Sequence, residues 1–344
     1  MRPLLFKLEP ETAHRVVLSL VAAWPAMFAG TDSPVLKQDL WGMPFSNPVG
    51  LAAGLDKDGI AVDAWQALGF GLAEVGTVTA SPQPGHPPPR LWRLPEHRAL
   101  INRLGFPSQG SERVARRLSR LRQRGIGLRL AINLGPNRDT PPERVAEELA
   151  QMAHTLAPLA DLLVVNLSSP NTAGLRQWQA PNLMRALITQ AFPRPWSGAR
   201  KPPLLIKLAP DLDPSQLALI CDLMLDLGVD GVVATNTTIA REAVGVRSPH
   251  PGGLSGPPLR ELARGVIRTI YRRSAGRLPI IGVGGVASAA DAYGHLRAGA
   301  RLVELYTGLI YEGPGLPRAI KRGLTQLLVR DGFDSVGQAV GIDA

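Results

Sequence analysis

The sequence has few of the residues that stabilise small secreted proteins, and it has no long hydrophobic run. Its single cysteine, Cys221, excludes an intramolecular disulfide and a multi-cysteine metal site, and the apolar helical pattern around it predicts a core thiol. The best candidate for a membrane span, residues 16–29, falls short of the about 20 apolar residues required and contains Pro25. Glu9 and Glu11 stand where a secretory leader is basic, so we expect no signal peptide and a protein that faces the cytosol.

The composition is that of a folded, basic protein. Of its 344 residues, 45% are apolar and 19% are charged, which is enough apolar material to bury a full core. Lysine and arginine number 38 against 28 acidic residues, and the net charge is +10. This excess favours anionic partners, namely nucleic acid, phospholipid headgroups or phosphorylated small molecules, and composition alone does not distinguish among them.

The amino-terminal segment predicts an amphipathic helix from Pro10 to about Trp24, followed by a short apolar stretch at 25–29. Residues of one helical face recur at the i, i+3, i+4 and i+7 positions, and they are Ala13, Val16, Val17, Leu20 and Trp24. One interpretation is a helix packed on the domain, which the segment alone favours. The other is a helix lying in a membrane interface, with Arg2, Lys7 and Arg15 near anionic headgroups.

From Asn47 onward, short β-rich runs alternate with helical patterns, which predicts βαβ units and a parallel sheet. The runs occupy residues 47–53, 72–79, 128–134, 162–168, 203–209, 231–237, 279–285 and 301–308. Eight such units predict an α/β fold of the closed (β/α)8 TIM barrel type, and no G-x-G-x-x-G follows the first run as in dinucleotide-binding folds. We expect a helical extension in residues 1–40 and a barrel domain in residues 41–344.

Every one of these runs ends in polar residues or glycine. In a β/α barrel the functional groups converge from the carboxyl ends of the strands. A lone lysine such as Lys207 could simply extend to the rim, but polar endings on all eight runs predict donors around a sizeable polar ligand. The strand-end residues are Lys57, Thr77, Asn133, Asn166, Ser169, Lys207, Thr235, Asn236, Thr237, Gly284, Gly285, Tyr306, Thr307 and Gly308.

Two features indicate what this ligand contains. Gly284 and Gly285 precede a helix expected to begin near Ser288, and glycines before a helix let backbone amides approach a phosphate. Gly252, Gly253 and Gly256 could add further amides. Asparagine side chains offer both a donor and an acceptor, which suits a planar ring of alternating C=O and N–H groups. Any one asparagine is more often a turn residue, but four lie near the barrel mouth: Asn102, Asn166, Asn171 and Asn236.

Ordered motifs over nearly the whole chain carry a family resemblance. They are LEPETAHR near the start, AAGLDKDG at 52–59, GTVT at 76–79, LINRLGF at 100–106, NLGPNRDT at 133–140, VNLSSPNTAGLR at 165–176, KLAPD at 207–211, ATNTT at 234–238, GGLSG at 252–256, IGVGG at 281–285 and LYTG at 305–308. The combination of VNLSSPNTAGLR with AAGLDKDG is highly specific. With these motifs the chain resembles the class 2, quinone-dependent dihydroorotate dehydrogenases.

The resemblance implies a flavoprotein that binds FMN and oxidises (S)-dihydroorotate to orotate in de novo pyrimidine (UMP) biosynthesis. It implies Ser169 as the catalytic base, where class 1 enzymes have a cysteine, and it implies that Lys207 offsets negative charge on the reduced flavin. The implied flavin-binding residues are Ala53, Gly54, Leu55, Asp56, Lys57, Thr77, Asn133, Asn166, Lys207, Thr235, Gly256, Gly285, Tyr306 and Thr307. The implied substrate-binding residues are Lys57, Asn102, Arg103, Leu104, Gly105, Phe106, Asn166, Asn171, Asn236 and Thr237.

The resemblance also implies that electrons pass to a membrane quinone, at a site formed by His14, Arg93 and Tyr306. Because a quinone dissolves in the bilayer, membrane-interface attachment of the amino-terminal helix becomes the preferred interpretation. We then expect a peripheral protein on the cytoplasmic face of the inner membrane, a monomer or weak homo-oligomer, with no metal and no nucleic-acid partner.

Two alternatives stay open at this point. One is another FMN barrel enzyme that acts on a related ring, such as a dihydropyrimidine or dihydrouridine reductase. Ser169 in place of a catalytic cysteine argues against it. The other is a non-enzymatic basic protein that binds membranes or nucleic acid, which would be colourless and would bind in a salt-dependent manner.

Overall fold

The computed structural model describes residues 2–23, 32–172, 174–193, 201–242 and 245–344, except for the side chain of Arg2. The helices are α1 Arg2–Leu5, α2 Pro10–Ala23, α3 Val62–Ala67, α4 Ser111–Arg124, α5 Val145–Leu156, α6 Pro181–Ala191, α7 Pro214–Asp226, α8 Arg260–Ser274, α9 Ala289–Arg297, α10 Thr307–Glu312 and α11 Leu316–Arg330. The strands are β1 Gln38–Leu40, β2 Met43–Phe45, β3 Val49–Leu51, β4 Leu72–Val78, β5 Leu91–Leu94, β6 Ala99–Asn102, β7 Arg129–Leu134, β8 Leu162–Asn166, β9 Leu204–Leu208, β10 Gly231–Ala234, β11 Gly253–Ser255, β12 Ile280–Val283 and β13 Ala300–Leu305.

Eight parallel strands close into a barrel in the order β10-β12-β13-β3-β4-β7-β8-β9. Each of these strands matches one of the eight predicted runs, so the predicted (β/α)8 barrel is confirmed. The helices pack outside the barrel against the outward-facing residues of the strands, such as Val75, Ile132 and Ile206. Cys221 of α7 belongs to this outer core, where burial raises the pKa of its thiol to about 11, in keeping with the predicted core thiol.

Inside the barrel, alternate side chains point toward the axis and form layers, as the period of two in a strand requires. The layer near the amino-terminal ends of the strands is apolar and contains Leu72, Ala131, Leu162, Val164, Leu205, Val233, Ile281 and Leu302. The antiparallel pair β1–β2 closes this end with Leu40 and Phe45, which pack on the same cluster. The opposite end therefore carries the inward-facing polar residues.

A second small sheet was not predicted from the sequence. Strands β5, β6 and β11 form an antiparallel sheet in the order β11-β6-β5. Strands β5 and β6 come from the long connection after β4, and β11 comes from the connection after β10. Because Asn102 ends β6 and Ser255 ends β11, this sheet carries two of the side chains at the barrel mouth.

Helix α2 begins at Pro10, as predicted, while Trp24 and the stretch 25–29 lie outside the described residues. The predicted apolar face is divided. Ala13 is buried, but Val16 and Leu20 are 40% and 46% exposed. Leu18, Val21 and Ala22 pack on the domain core in their place. Among the described residues, no helix combines the length and the apolar character that crossing a membrane would require.

The first testable prediction concerns His295 of α9, which is fully buried. Burial, helped by the charge of Arg264, lowers the pKa of its imidazole to about 4. In the unfolded chain the histidine pKa is near 6.5, so between about pH 4 and about pH 6.5 this side chain is protonated in the unfolded state and neutral in the folded state. We expect the free energy of unfolding to be highest above about pH 6.5 and to fall, by up to about 3 kcal/mol from this group, as the pH decreases toward about 4.

Urea denaturation at about pH 7 and about pH 4.5 measures this dependence. The His295→Gln variant should lose less stability between the two pH values than the parent protein does. The same substitution at His154, which is exposed on α5, serves as the control. An equal pH dependence in the parent protein and in His295→Gln would contradict the assignment.

Candidate active site

A cavity opens at the carboxyl ends of the barrel strands, where the sequence predicted that the strand-end residues would meet. It is lined by Ala52, Ala53, Gly54, Lys57, Thr77, Asn102, Leu104, Gly105, Phe106, Pro107, Asn166, Ser169, Asn171, Lys207, Thr235, Asn236, Thr237, Ser255, Gly256, Leu259, Val283, Gly284, Gly285, Val286, Glu304, Tyr306, Thr307 and Gly308. Seven of the eight barrel strands, or the loops that follow them, therefore border one space, and Asn133 of the remaining strand, β7, bonds to its floor.

The floor of the cavity is a buried polar layer. The ammonium of Lys207 on β9 donates to Oε2 of Glu74 on β4 at 2.8 Å, and Asn133 donates to Oε1 of Glu74 at 2.5 Å. Burial opposes ionisation of Glu74, but Lys207 and the hydrogen bonds outweigh it and lower its pKa overall. Lys207 thus forms a buried ion pair with Glu74 and does not merely extend to the rim.

Two carboxyl groups of this floor, Glu74 and Glu304, were missed by the sequence reasoning. Each is an acidic residue within a mostly apolar strand, and each is buried. Side chains alternate between the two faces of a strand, and this alternation could have identified both residues. Glu74 lies two residues after Leu72, and Glu304 lies two residues after Leu302, so each faces the barrel axis as these leucines do.

The four asparagines form two hydrogen-bonded pairs in the cavity lining. Asn166 donates to Oγ1 of Thr77 at 3.0 Å, and Asn236 donates to Oδ1 of Asn166 at 3.3 Å. In the other pair, Asn171 donates to Oδ1 of Asn102 at 3.1 Å. Oδ1 of Asn171 is buried and accepts no hydrogen bond from any described residue. A buried acceptor without a donor is costly, so this atom is suited to a ligand N–H group.

Ser169 lies in the loop after β8, is buried and lines the same cavity. Its Oγ accepts a hydrogen bond from the backbone N–H of Asn171 at 3.2 Å. His86, the histidine near this loop, instead contacts the backbone oxygen of Asn171 through Nε2 at 2.7 Å. Within the described part of the chain, no histidine pairs with the Ser169 hydroxyl, as the sequence had indicated.

Lys57 supplies a cation to the cavity wall. Burial lowers the pKa of its ammonium, while Glu11 and Asp58 oppose that effect. No hydrogen bond or ion pair to Lys57 is found among the described residues, in contrast to Lys207. A half-buried ammonium that makes no direct ion pair with the protein is suited to an anionic group on a ligand.

Glycines form the wall opposite the asparagines. Gly285 and Gly256 have φ values of +74° and +106°, and a Cβ at either position would come within 3.0 Å of neighbouring atoms. Their backbone N–H groups, and that of Thr307, donate to no described acceptor. Helix α9 follows with Ser288 at its N-cap, which confirms the predicted start. Free amides in a glycine-lined wall are suited to phosphate oxygens.

Four of the residues that the resemblance implies for the flavin and the substrate do not line the cavity: Leu55, Asp56, Arg103 and Asn133. Asn133 acts from below through its bond to Glu74. Asp56 is turned away and accepts hydrogen bonds from Ile60 N at 2.7 Å, from Ala61 N at 2.8 Å and from Nε1 of Trp65 at 2.9 Å. Asp56 thereby fixes the start of α3 and the loop that carries Lys57.

The residues implied for a quinone, namely His14, Arg93 and Tyr306, lie around the amino-terminal helices. Burial and the charge of Lys57 lower the pKa of His14 to about 3, although a hydrogen bond with the backbone of Leu55 opposes this, so the ring is neutral. Arg93 donates to the Leu8 carbonyl at 2.9 Å, and its guanidinium lies 4.7 Å from the centre of the Phe6 ring.

Tyr306 joins this amino-terminal region to the cavity. It lines the cavity beside Gly54 and, like Phe6, packs against the cluster of Leu91, Leu100 and Tyr311. Burial, with a further contribution from Glu11, raises the pKa of its phenol to about 12. Glu11 itself holds α2 in place through an ion pair with Arg90 at 2.8 Å. Tyr306 thus lies between the cavity and the region that holds the amino-terminal helices.

The role seen for Asp56 generates a prediction. An Asp56→Asn substitution places an amide NH2 among three buried donors, so we expect the free energy of unfolding to fall by about 1–3 kcal/mol. Asp63→Asn is the matched control, because Asp63 is exposed and its pair with Arg124 is worth about 0–1 kcal/mol. Urea denaturation measures the free energy of unfolding of both variants. Equal values for the two would contradict a structural role for Asp56.

Comparison with known proteins agrees with this geometry. The family model described as dihydroorotate dehydrogenase matches residues 35–328. "Dihydroorotate dehydrogenase (quinone)" of Roseiflexus castenholzii is 49% identical, with 100% of this chain and 96% of the relative covered, and that of Thermus thermophilus is 46% identical over 98% and 99%. A crystal structure of DHODH from Eimeria tenella in complex with ferulenol has a TM-score of 0.92 and 36% identity, with 99% and 98% covered. The chain therefore belongs to the dihydroorotate dehydrogenase family.

Proposed function

We propose that this chain oxidises (S)-dihydroorotate to orotate with bound FMN and passes the electrons to a membrane quinone, as a step of pyrimidine biosynthesis. The observation that carries the proposal is the pair of unsatisfied groups in one cavity. Among the residues that the structure describes, Oδ1 of Asn171 has no donor, and the ammonium of Lys57 makes no direct ion pair although Glu11 and Asp58 act on it from a greater distance. Dihydroorotate offers both, because its ring carries N–H groups and its substituent is a carboxylate.

The residues present also fit FMN. The glycine wall with the free amides of Gly256, Gly285 and Thr307 is suited to its phosphate. The polar floor, with Lys207, and the strand ends Thr77 and Asn166 offer hydrogen-bonding groups to a ring that has C=O and N–H edges. Bound FMN supplies the hydride acceptor and the link to the quinone.

The proposed base is Ser169, which would take a proton from carbon C5 of dihydroorotate. A hydroxyl is a weak base at its free pKa and needs assistance. The backbone N–H of Asn171 donates to Ser169 Oγ and stabilises negative charge that develops there. Phe106 and Thr172, near the same loop, are the proposed gate for a water that carries the proton away. The asparagines hold the ring in place for the transfer.

The proposal predicts the behaviour of a Ser169→Ala variant. We expect the purified variant to keep its yellow flavin and to lose turnover with dihydroorotate by about 10²–10⁴, because general-base assistance contributes a factor of that size. Ser119→Ala, on the outer helix α4, is the matched control and should retain turnover. Stopped-flow measurement of the loss of flavin absorbance without oxygen separates this step from reoxidation.

The same experiment tests the function as a whole. The parent protein should bleach when dihydroorotate is added without oxygen, and its colour should return with a ubiquinone more rapidly than with fumarate or NAD. A colourless protein, or a yellow one that dihydroorotate leaves unchanged, contradicts the proposed function. Normal bleaching in Ser169→Ala contradicts only the role of Ser169.

The proposed quinone route places residues 1–40 at a membrane. On α1, α2 and the turn between them, Leu4, Leu8, Val16 and Leu20 are exposed. Lys7 and Arg15 are exposed nearby and could contact anionic headgroups. His14, Arg93 and Tyr306 lie behind this surface. These features support peripheral attachment to a membrane surface, where a quinone can enter from the bilayer, and the surface we propose is the cytoplasmic face of the inner membrane.

A double variant with Val16→Ser and Leu20→Ser should weaken binding to anionic vesicles and raise the KM for vesicle-embedded ubiquinone by at least about tenfold, since each buried apolar side chain contributes about 1.5–3 kcal/mol. The rate of bleaching by dihydroorotate should not change. The control is Leu219→Ser with Ile239→Ser, which removes two exposed apolar residues elsewhere. Equal effects of the two double variants would argue against a membrane role for α2.

A further inference from the structure

Glu304 on β13 lines the cavity, but its carboxyl group takes part in none of the hydrogen bonds of the cavity floor. It is 1% exposed, and neither carboxyl oxygen receives a hydrogen bond from a described donor. An ionised carboxylate in such a position would be very costly. The side chain lines the cavity together with Lys207, whose ion pair with Glu74 forms the cavity floor.

The backbone makes this position possible through a glycine. Glu304 is paired with Gly50 of β3, the strand that separates β13 from β4. A Cβ at position 50 would lie 3.1 Å from Cγ of Glu304, so a larger residue would crowd the side chain. Glu74, which lies on β4 on the other side of β3, is the carboxyl group that acts most strongly on Glu304.

The charged groups that face Glu304 in the described structure are Glu74 from β4 and Lys207 from β9. Lys207 already donates to Glu74, and Asn133 donates to the other oxygen of Glu74. Burial, followed by the charge of Glu74, raises the pKa of Glu304 well above its usual range, and Lys207 only partly opposes them. A contact between two carboxyl groups becomes a hydrogen bond when one of them carries a proton.

We infer that Glu304 and Glu74 share a single proton, so that with Lys207 they form an uncharged buried triad that sets the charge beneath the bound flavin. Glu304 is thus a positioning residue for the cofactor site. This inference rests on the proposed function only where it concerns FMN. A neutral floor adds no net charge to the cavity before reduction, and the shared proton prevents two adjacent carboxylates from repelling negative charge that arises on reduction.

Sharing has a consequence that separate ionisation lacks. In Glu304→Gln the triad stays neutral, because Glu74 pairs with Lys207. In Glu74→Gln it also stays neutral, because Glu304 then loses its proton and pairs with Lys207. Only the double variant leaves Lys207 without a carboxylate and gains a positive charge. The effects of the two single substitutions are therefore expected to be non-additive.

Infrared spectroscopy of the protein as purified tests the shared proton directly. The spectrum at neutral pH should contain the carbonyl band of a protonated carboxylic acid, and both Glu304→Gln and Glu74→Gln should lose it. Asp161→Asn is the control and should keep it, since Asp161 is a buried carboxylate paired with Arg122 at 2.7 Å. If the Glu304→Gln spectrum differs from that of the parent only in ionised-carboxylate bands, the inference is overturned. This readout does not depend on bound flavin or on turnover.

The reduction potential of bound FMN tests the charge. Each single variant should change the ratio of the affinities for oxidised and reduced FMN by less than about threefold, whereas the double variant should favour reduced FMN by at least about tenfold, which is about 30 mV for a two-electron couple. Equal steps in potential from each single substitution, with the double variant at their sum, would show that both carboxyls are ionised and would overturn the inference.

Discussion

The ion pair between Lys207 and Glu74 is the interaction on which the site depends. Burying either charge alone would be prohibitive, so each requires the other, and together they span the barrel interior from β9 to β4. Glu74 also accepts from Asn133 and from the backbone N–H of Ala53, so one carboxylate links three strands and the loop after β3. The pair divides the barrel into an apolar half that stabilises the fold and an open half that can bind a ligand.

The barrel could be predicted because its strands carry a strong signal. Each run is mostly apolar, as expected for a parallel strand that is covered by helices outside and by the apolar layer at one end of the barrel interior. The sheet of β5, β6 and β11 could not be predicted in the same way. Its strands are three or four residues long, they follow proline-rich connections, and their pairing joins segments about 150 residues apart, such as Asn102 with Gly253. Only tertiary contact decides such pairings.

Site residues at the ends of barrel strands could be predicted from the sequence. The side-chain directions of residues in loops and on α2 were harder to predict. Ser169, Lys57 and the asparagines converge as expected, because strand polarity alone brings them to one rim. Asp56 lies beside Lys57 in sequence, yet its side chain accepts hydrogen bonds from the backbone at the start of α3. A loop has no regular period, so its sequence does not show which of two neighbouring side chains faces the cavity. On α2 the apolar residues surround more of the helix than one face, so periodicity alone could not tell which side would pack.

In the proposed function, the rim of the barrel holds the flavin and, beside it, a small pyrimidine acid. The N–H and carboxylate groups of this acid pair with Asn171 Oδ1 and the Lys57 ammonium. A crystal structure of the protein grown with FMN and orotate measures this most directly. The account predicts an orotate ring N–H within hydrogen-bond distance of Asn171 Oδ1 and the orotate carboxylate beside Lys57 or its neighbours in the wall. Orotate bound elsewhere, or Asn171 Oδ1 still without a donor while orotate occupies the cavity, would contradict it.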